Sequence, residues 1–229
     1  MLSQTDFISS LKEVIAEKHL LNHPFYQMWA AGTLPMEAMQ RYAEQYYHLE
    51  VNFPRFLSRM HAGCENFAVR QAITENLYDE EHGSENHREL WLRFGEGIGT
   101  TRESMISSYP LVETQAAVNT FLQLSSESFL SGVGALSAYE SQVPEVVQSK
   151  ISGLQKNYNV SDENTLKFFR VHAGLDVEHA NTWWNIIAEH AVTEEQQNEV
   201  RDAVVFGRDV LYGFLDGVCR EYVPEACVM

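Results

Sequence analysis

Residues 163–191 read ENTLKFFRVHAGLDVEHANTWWNIIAEHA, a stretch in which apolar side chains recur every three or four positions. That period predicts an α-helix, and Asp162, directly before the stretch, is a suitable N-cap. Similar periodicity runs along most of the chain, without an Asn-Gly hairpin or a clean two-residue alternation. We therefore expect about seven to nine helices in one all-α bundle, whose core is a common place for a metal or cofactor site.

The composition fits one large globular domain. The chain has 229 residues, of which 45% are hydrophobic and 21% are charged. These proportions exclude a disordered protein, a fibrous repeat and a coiled-coil rod. Sixteen Lys and Arg against 32 Asp and Glu give a net charge of −16. Because a phosphate backbone or an anionic bilayer repels that charge, we expect no nucleic-acid and no membrane partner.

Cysteine usage and the absence of long apolar runs indicate the compartment. The three cysteines, Cys64, Cys219 and Cys227, are an odd number without a CxxC pair. This usage is typical of a reducing compartment. The N-terminus lacks the apolar core of a secretion signal, and no stretch approaches the length of apolar chain that spans a membrane. We therefore expect a soluble, cytoplasmic protein.

The opening stretch carries three potential metal ligands: His172, Asp176 and His179. With 3.6 residues per turn, Asp176 lies about 40° to one side of His172, and His179 lies about 20° to the other. The flanking aromatic residues indicate a largely buried helix, in which ionisable side chains need a partner or a metal. A hydrogen-bonded His–Asp–His network or a solvated helix face would produce the same spacing.

Two other segments add candidate ligands. Glu80 and His87 lie seven residues apart in EEHGSENH, which places them on one helical stripe unless Gly83 breaks the helix. Glu81 falls on the opposite side of that helix. Glu140 ends a mostly apolar helix rich in small residues. Taken singly, the first segment is typical of a solvated surface, and a lone glutamate at a helix end is typical of a cap.

Together the three segments supply three carboxylates and three imidazoles, from Glu80, His87, Glu140, His172, Asp176 and His179. Mixed carboxylate and imidazole ligation suits iron or manganese better than structural zinc, which favours thiolates. Six ligands are too many for one tetrahedral ion, and they fit two octahedral ions with open positions for oxygen. The chain lacks the paired Glu-x-x-His motifs of many bundle di-iron sites and has His-x₃-Asp-x₂-His instead.

The order Glu-x₆-His, Tyr-Glu-Ser-Gln and His-x₃-Asp-x₂-His resembles the haem-oxygenase-like di-iron proteins. The chain is most similar to the CADD-like family (chlamydial proteins associating with death domains), which is related to the TenA and PqqC families. The resemblance implies a haem-oxygenase-like domain over residues 1–216 and a C-terminal tail over residues 217–229 that matches poorly. The matching segments are HPFYQMW at 23–29, YAEQYY at 42–47, NLYDEEHG at 76–83, NHRELW at 86–91, YESQVP at 139–144 and LYGFLD at 211–216.

The resemblance also implies an activity and its participants. CADD-like proteins are oxidoreductases that supply p-aminobenzoate for folate synthesis, and the ring is cut from one of the protein's own tyrosines. The matching tyrosine is Tyr26, and the proposed amino donor matches Lys150. Tyr42 matches a residue that would act as a radical relay or as a pocket wall, whereas Phe168 replaces a family tyrosine. The implied cofactors are two metal ions, Fe/Fe or Fe/Mn, with dioxygen and an external reductant.

Two other functions fit the same residues. A dimetal oxygenase acting on an external small molecule would use the same ligands, with Tyr26 as pocket lining. A non-catalytic protein that binds a host death-domain protein is a third class, although no segment identifies such a surface. A TenA-like hydrolase is disfavoured because Cys64 has no adjacent base, and PqqC-like synthesis because that relative works without a metal. We expect a homodimer with an unidentified electron donor.

Overall fold

A computed structural model describes residues 1–227, apart from the side chains of residues 174–179 and 226. Within that range the chain forms twelve α-helices and two short 3₁₀ turns, at Leu20–Asn22 and Pro224–Ala226, and no strand. The predicted all-α fold is confirmed, with more and shorter helices than expected. They are α1 Gln4–Glu17, α2 Pro24–Ala31, α3 Met36–Glu50, α4 Phe53–Gly63, α5 Phe67–Glu81, α6 His87–Gly97, α7 Arg102–Ser107, α8 Val112–Glu127, α9 Phe129–Glu140, α10 Val143–Asn157, α11 Glu163–His190 and α12 Glu194–Tyr222.

The two longest helices begin at caps that the sequence encodes. The Asp162 carboxylate accepts a hydrogen bond from the Thr165 backbone N–H at 2.9 Å, which starts α11. Thr193 and Gln196 form a capping box at the start of α12. Because α12 runs on to Tyr222, the domain boundary that the resemblance implies after residue 216 falls inside a continuous helix.

Two of the three cysteines lie together at the end of the chain's last long helix. Cys219 and Cys227 are joined by a disulfide, whereas Cys64 is a free, buried thiol. The turn that begins at Pro224 brings Cys227 back beside the last turns of α12. Sequence spacing did not indicate this pair, because the contact depends on where α12 ends.

Helix α9 is the central element of the bundle. Its residues are buried from Leu130 to Glu140, and its small side chains let neighbouring helices approach closely. A Cβ atom added to Gly207 of α12 would lie 2.9 Å from the carbonyl oxygen of Ala135, so glycine is required for this approach. This packing carries Glu140, at the C-terminal end of α9, into the interior. Over the described residues, no helix is both long and apolar enough to cross a membrane.

Candidate metal centre and tyrosine–lysine cluster

Glu80 and His87 come together from two helices. Helix α5 ends just after Glu80, the chain turns through Gly83 at φ +81°, and α6 begins at His87 behind the N-cap Asn86. The expected single helical stripe is absent from this segment, because Gly83 adopts a left-handed conformation that breaks the helix. The turn still brings the two side chains together, with His87 Nδ1 2.9 Å from Glu80 Oε2.

Glu80, His87 and His172 form a compact buried group whose ligand atoms all lie within 4.8 Å of one another. His172 Nδ1 lies 2.7 Å from the backbone oxygen of Phe168, one turn earlier on α11. Since a carbonyl oxygen only accepts, Nδ1 donates, and the neutral ring carries its lone pair on Nε2. This backbone contact is the kind of outer-shell bond that orients a metal-binding histidine.

His87 and Glu80 form a close, buried pair. His87 Nδ1 and Glu80 Oε2 form an ion pair when the imidazole is protonated, although the ring N–H is not aligned for a good hydrogen bond. Burial lowers the pKa of His87, but the neighbouring carboxylates, Glu80 first and then Glu50 and Asp79, together raise it to about 9. A transition-metal ion between these two atoms would accept an electron pair from each of them. The imidazole and the carboxylate therefore fit such an ion.

Glu140 borders the same interior space from α9. Its carboxylate lines a small cavity with Glu80 and His172. One oxygen accepts a hydrogen bond from Asn76 Nδ2 at 3.0 Å, and the other accepts one from the indole N–H of Trp183. Burial raises the pKa of Glu140 to about 8, against the opposing effect of these two bonds. Glu140 is therefore held in place by neighbouring donors at the wall of the candidate centre.

Four of the six predicted ligands thus surround one buried space: Glu80, His87, Glu140 and His172. The other two, Asp176 and His179, lie on the continuous helix α11, but their side chains lie outside the described residues. Their assignment as ligands stays a prediction.

The structure adds Glu50, which the sequence analysis did not select. This residue ends α3, is 5% exposed, and lines the cavity with Glu80 and Glu140. Burial raises the pKa of Glu50 to about 8, with a further contribution from Glu80. A signal was available, because Tyr42, Tyr46 and Glu50 recur at four-residue intervals and so share one helix face.

The three residues implied in the chemistry form one buried cluster. The phenol oxygens of Tyr26 and Tyr42 lie 2.8 Å apart, and Lys150 Nζ donates to the Tyr42 oxygen at 2.7 Å. Lys150 Nζ also lies 4.7 Å from the centre of the Tyr26 ring. The structure therefore brings together Tyr26, Tyr42 and Lys150 from α2, α3 and α10.

Burial controls the protonation of this cluster. Desolvation lowers the pKa of Lys150 from its usual 10.5 to about 7, so a large fraction of the amine is uncharged at neutral pH. Desolvation raises the pKa of Tyr26 well above its usual value, so its phenol keeps its proton. An uncharged amine is a nucleophile, which an ammonium group is not.

Two more tyrosines connect the cluster to the candidate centre. The Tyr46 and Tyr139 phenol oxygens lie 2.5 Å apart, and both residues line the cavity that contains Glu80 and His172. The Tyr46 and Tyr42 rings have their centres 5.6 Å apart. Aromatic side chains thus extend without interruption from the carboxylates to Tyr26.

The interior beside Tyr26 has little free space. The cavity that Tyr26, Lys150, Phe168 and His172 line has a volume of about 30 Å³. This volume is enough for a water-sized molecule, whereas pockets for drug-sized ligands measure roughly 300–1,000 Å³. The chain's own aromatic side chains occupy the space that an external aromatic substrate would need.

The chain is similar to several known proteins. A family model described as an iron-containing redox enzyme matches residues 40–210. A 4-aminobenzoate synthase of Nitrosomonas europaea is 37% identical, over 96% of this chain and 94% of that protein. A 4-aminobenzoate synthase of Chlamydia muridarum is 36% identical, over 97% and 92%. A solved Shewanella denitrificans domain with a heme oxygenase-like fold aligns with a TM-score of 0.82 at 18% identity, covering 100% of this chain and 97% of that one.

Proposed function

The chain belongs to the iron-containing redox enzymes with the haem-oxygenase-like fold, and from that premise we propose that it makes p-aminobenzoate for folate synthesis. Support comes from the two 4-aminobenzoate synthases, which match over nearly their whole lengths. The predicted family, fold and enzyme class agree with these relatives. The metal pair, the ring source and the amino donor are the further parts of the proposal.

We propose two ions, Fe/Fe or Fe/Mn, held by Glu80, His87, Glu140, His172, Asp176 and His179. When bound, such a pair would supply dioxygen activation, with electrons from an external reductant, for oxidation of a nearby group. The fit rests on two observations in this chain. His172 directs Nδ1 to a backbone carbonyl, and ligand atoms of Glu80, His87 and His172 lie within 4.8 Å of one another. The surrounding aromatic residues exclude bulk water.

We propose that Tyr26 is the source of the ring. The observation that carries this step is the cavity of about 30 Å³ beside Tyr26, which is too small for a second aromatic ring. Tyrosine also has the required substitution pattern, because its Cβ and its phenol oxygen are para to each other, as are the two substituents of p-aminobenzoate. Tyr26 is 5% exposed, so its ring lies inside the bundle.

We propose that Lys150 is the amino donor. Its Nζ is close to the Tyr26 ring, and desolvation leaves much of the amine uncharged at neutral pH. Tyr42 connects the two residues, since its oxygen accepts the Lys150 hydrogen bond and shares a second with Tyr26. In this role Tyr42 orients the amine, and it can relay an oxidising equivalent through its ring contact with Tyr46.

Product stoichiometry tests the function. Protein loaded with iron and manganese, reduced and exposed to oxygen should release p-aminobenzoate, up to one molecule per chain and no more. Liquid chromatography with mass spectrometry measures the product against the amount of protein. Many molecules per chain would instead identify an oxygenase that acts on an external substrate. Absence of product from fully loaded, reduced protein would overturn the proposal.

A further inference from the structure

Glu50 presents a buried carboxylate that the described residues do not satisfy. The side chain is 5% exposed, and its Oε1 atom has no hydrogen-bond partner in the described part of the chain. Carboxylates are rarely buried in this way unless a hydrogen-bond donor or a cation faces them, because they lose their hydration on burial. The unsatisfied oxygen therefore requires a partner that the described side chains do not supply.

The position of Glu50 indicates where that partner lies. Glu50 and Glu80 both line the inner cavity that also contains Glu140 and His172. The same two glutamates line an outer cavity of about 270 Å³, together with the exposed Glu81. Glu50 and Glu80 thus form the wall between the outer cavity and the candidate centre, with their carboxylates close enough to repel each other.

The arginine at this wall is directed elsewhere. Arg88 lines the outer cavity, but its Nε donates to the Tyr47 phenol oxygen at 3.0 Å. No ion pair joins Glu50 to a lysine or arginine among the described residues. Among the described residues His87 pairs with Glu80, which leaves Glu50 as a second buried carboxylate without a lysine or arginine. A bound divalent cation stabilises such an arrangement.

We propose that Glu50 is a further ligand of the metal centre and binds the ion nearest the outer cavity together with Glu80. This inference rests on the metal site of the proposed function but not on its product. It also balances charge, since Glu50, Glu80, Glu140 and Asp176 would bring four negative charges to two divalent ions. Glu50 binds this ion through the oxygen that has no hydrogen-bond partner.

Metal binding to the full-length protein tests the proposal without any turnover. Manganous ion is titrated anaerobically into metal-free protein, and bound metal is counted by mass spectrometry of the equilibrated protein. Glu50→Gln keeps the shape of the side chain and removes its charge. We expect it to weaken one of the two sites at least tenfold, while Glu50→Asp retains an intermediate affinity. Glu81→Gln is the matched control, because Glu81 is exposed and lines the outer cavity only.

The outcomes separate this inference from the proposed function. Unchanged affinity and stoichiometry in folded Glu50→Gln would overturn it, whether or not p-aminobenzoate is made. If the variant fails to fold, a crystal structure of the manganese-loaded wild type decides: an ion in contact with Glu50 supports the proposal, and no ion in contact overturns it. Wild-type protein that binds no metal would overturn both. Two bound ions without product would reject only the proposed function.

Discussion

The side-chain nitrogen of Lys150 lies 2.7 Å from the phenol oxygen of Tyr42, and the lysine is only 5% exposed. A lysine in an aromatic interior loses its hydration, and the single hydrogen bond to Tyr42 does not replace it. The lowered pKa of Lys150 shows that burial disfavours its charged form, so this lysine reduces the free energy of unfolding of the protein. Perturbed groups of this kind cluster at functional sites, which agrees with Lys150 as a reactive amine.

The first prediction concerns stability. Lys150→Met should raise the free energy of unfolding of the metal-free protein at pH 7 by about 2–4 kcal/mol. The fall in pKa from 10.5 to about 7 costs roughly 5 kcal/mol at about 1.4 kcal/mol per unit. Loss of the Tyr42 hydrogen bond offsets about 1 kcal/mol of the gain. Urea denaturation measures the change.

The pH dependence of this stability change follows from the difference in bound protons between the folded and unfolded states. Between pH 7 and 10.5 the unfolded lysine holds a proton that the folded one has lost, so wild-type stability rises with pH. The rise in the free energy of unfolding that Lys150→Met produces should therefore be smaller at pH 9 than at pH 7. Lys156→Met, an exposed lysine on the same helix, should change stability little at any pH. Equal effects of both substitutions would contradict a desolvated Lys150.

The fold and family could be predicted because periodicity and motif order are local properties of the sequence. The stretch 163–191 gives helix α11, and its cap at Asp162 is the one observed. We expected Glu80 and His87 to meet on one face of a single helix. They do meet, but the turn at Gly83 places them on two helices. Their proximity depends on how α5 and α6 pack, which periodicity along one helix does not contain.

Glu50 shows what sequence reasoning misses in the site. A lone glutamate at the end of a helix is usually a solvated charge, and only its four-residue spacing from Tyr46 and Tyr42 indicates a shared helix face. Its burial arises because α3, α5 and α9 each bring a glutamate, Glu50, Glu80 and Glu140, to one cavity. The disulfide between Cys219 and Cys227 was missed for a similar reason, because it depends on the turn after α12.

A second prediction tests the packing that positions Glu140. Gly207→Ala should destabilise the protein by about 1–3 kcal/mol, because the added methyl group would clash with the Ala135 backbone. Gly213→Ala, on the same helix α12, has no neighbour within 4 Å and should stabilise by about 0.5–1 kcal/mol. Thermal and urea denaturation of the two variants give opposite signs if α9 and α12 pack as described.

A third prediction concerns metal loading. In the metal-free protein the pKa values of Glu50 and Glu140 are about 8, and that of His87 is about 9. At pH 7 these groups hold protons, which a bound ion must displace. Apparent affinity for manganous ion should therefore rise with pH from 6.5 to 8.5. Calorimetry in buffers of different ionisation enthalpy should detect at least about one proton released per chain at pH 7.

A pH-independent affinity over this range would show that the ion does not bind at these groups. His172→Ala should reduce the bound metal from about two ions per chain, as expected for a ligand that lies among them. His190→Ala, which changes a histidine at the last turn of the same helix, is the control and should leave metal content unchanged.

The last prediction is that Tyr26 is consumed. Tyr26→Phe should abolish p-aminobenzoate while leaving metal content unchanged, because Tyr26 is not among the six predicted ligands and phenylalanine lacks the phenol oxygen that an amine must replace. Tyr78→Phe changes an exposed tyrosine, 57% accessible, and should leave the yield intact. Mass spectrometry of the wild-type protein after reaction should find changed residues in two peptides, the one that contains Tyr26 and the one that contains Lys150.

Lys150→Met provides the complementary arm of this experiment. It removes the amine but keeps Tyr26, so product should fail to form while the metals still bind. Isotopic labelling decides the source of the atoms, because protein grown on ring-labelled tyrosine and assayed in unlabelled buffer should release ring-labelled p-aminobenzoate. Nitrogen-15 in the lysine side chains should likewise appear in the product. Full yield from Tyr26→Phe, or unlabelled product from labelled protein, would assign the ring to an external molecule.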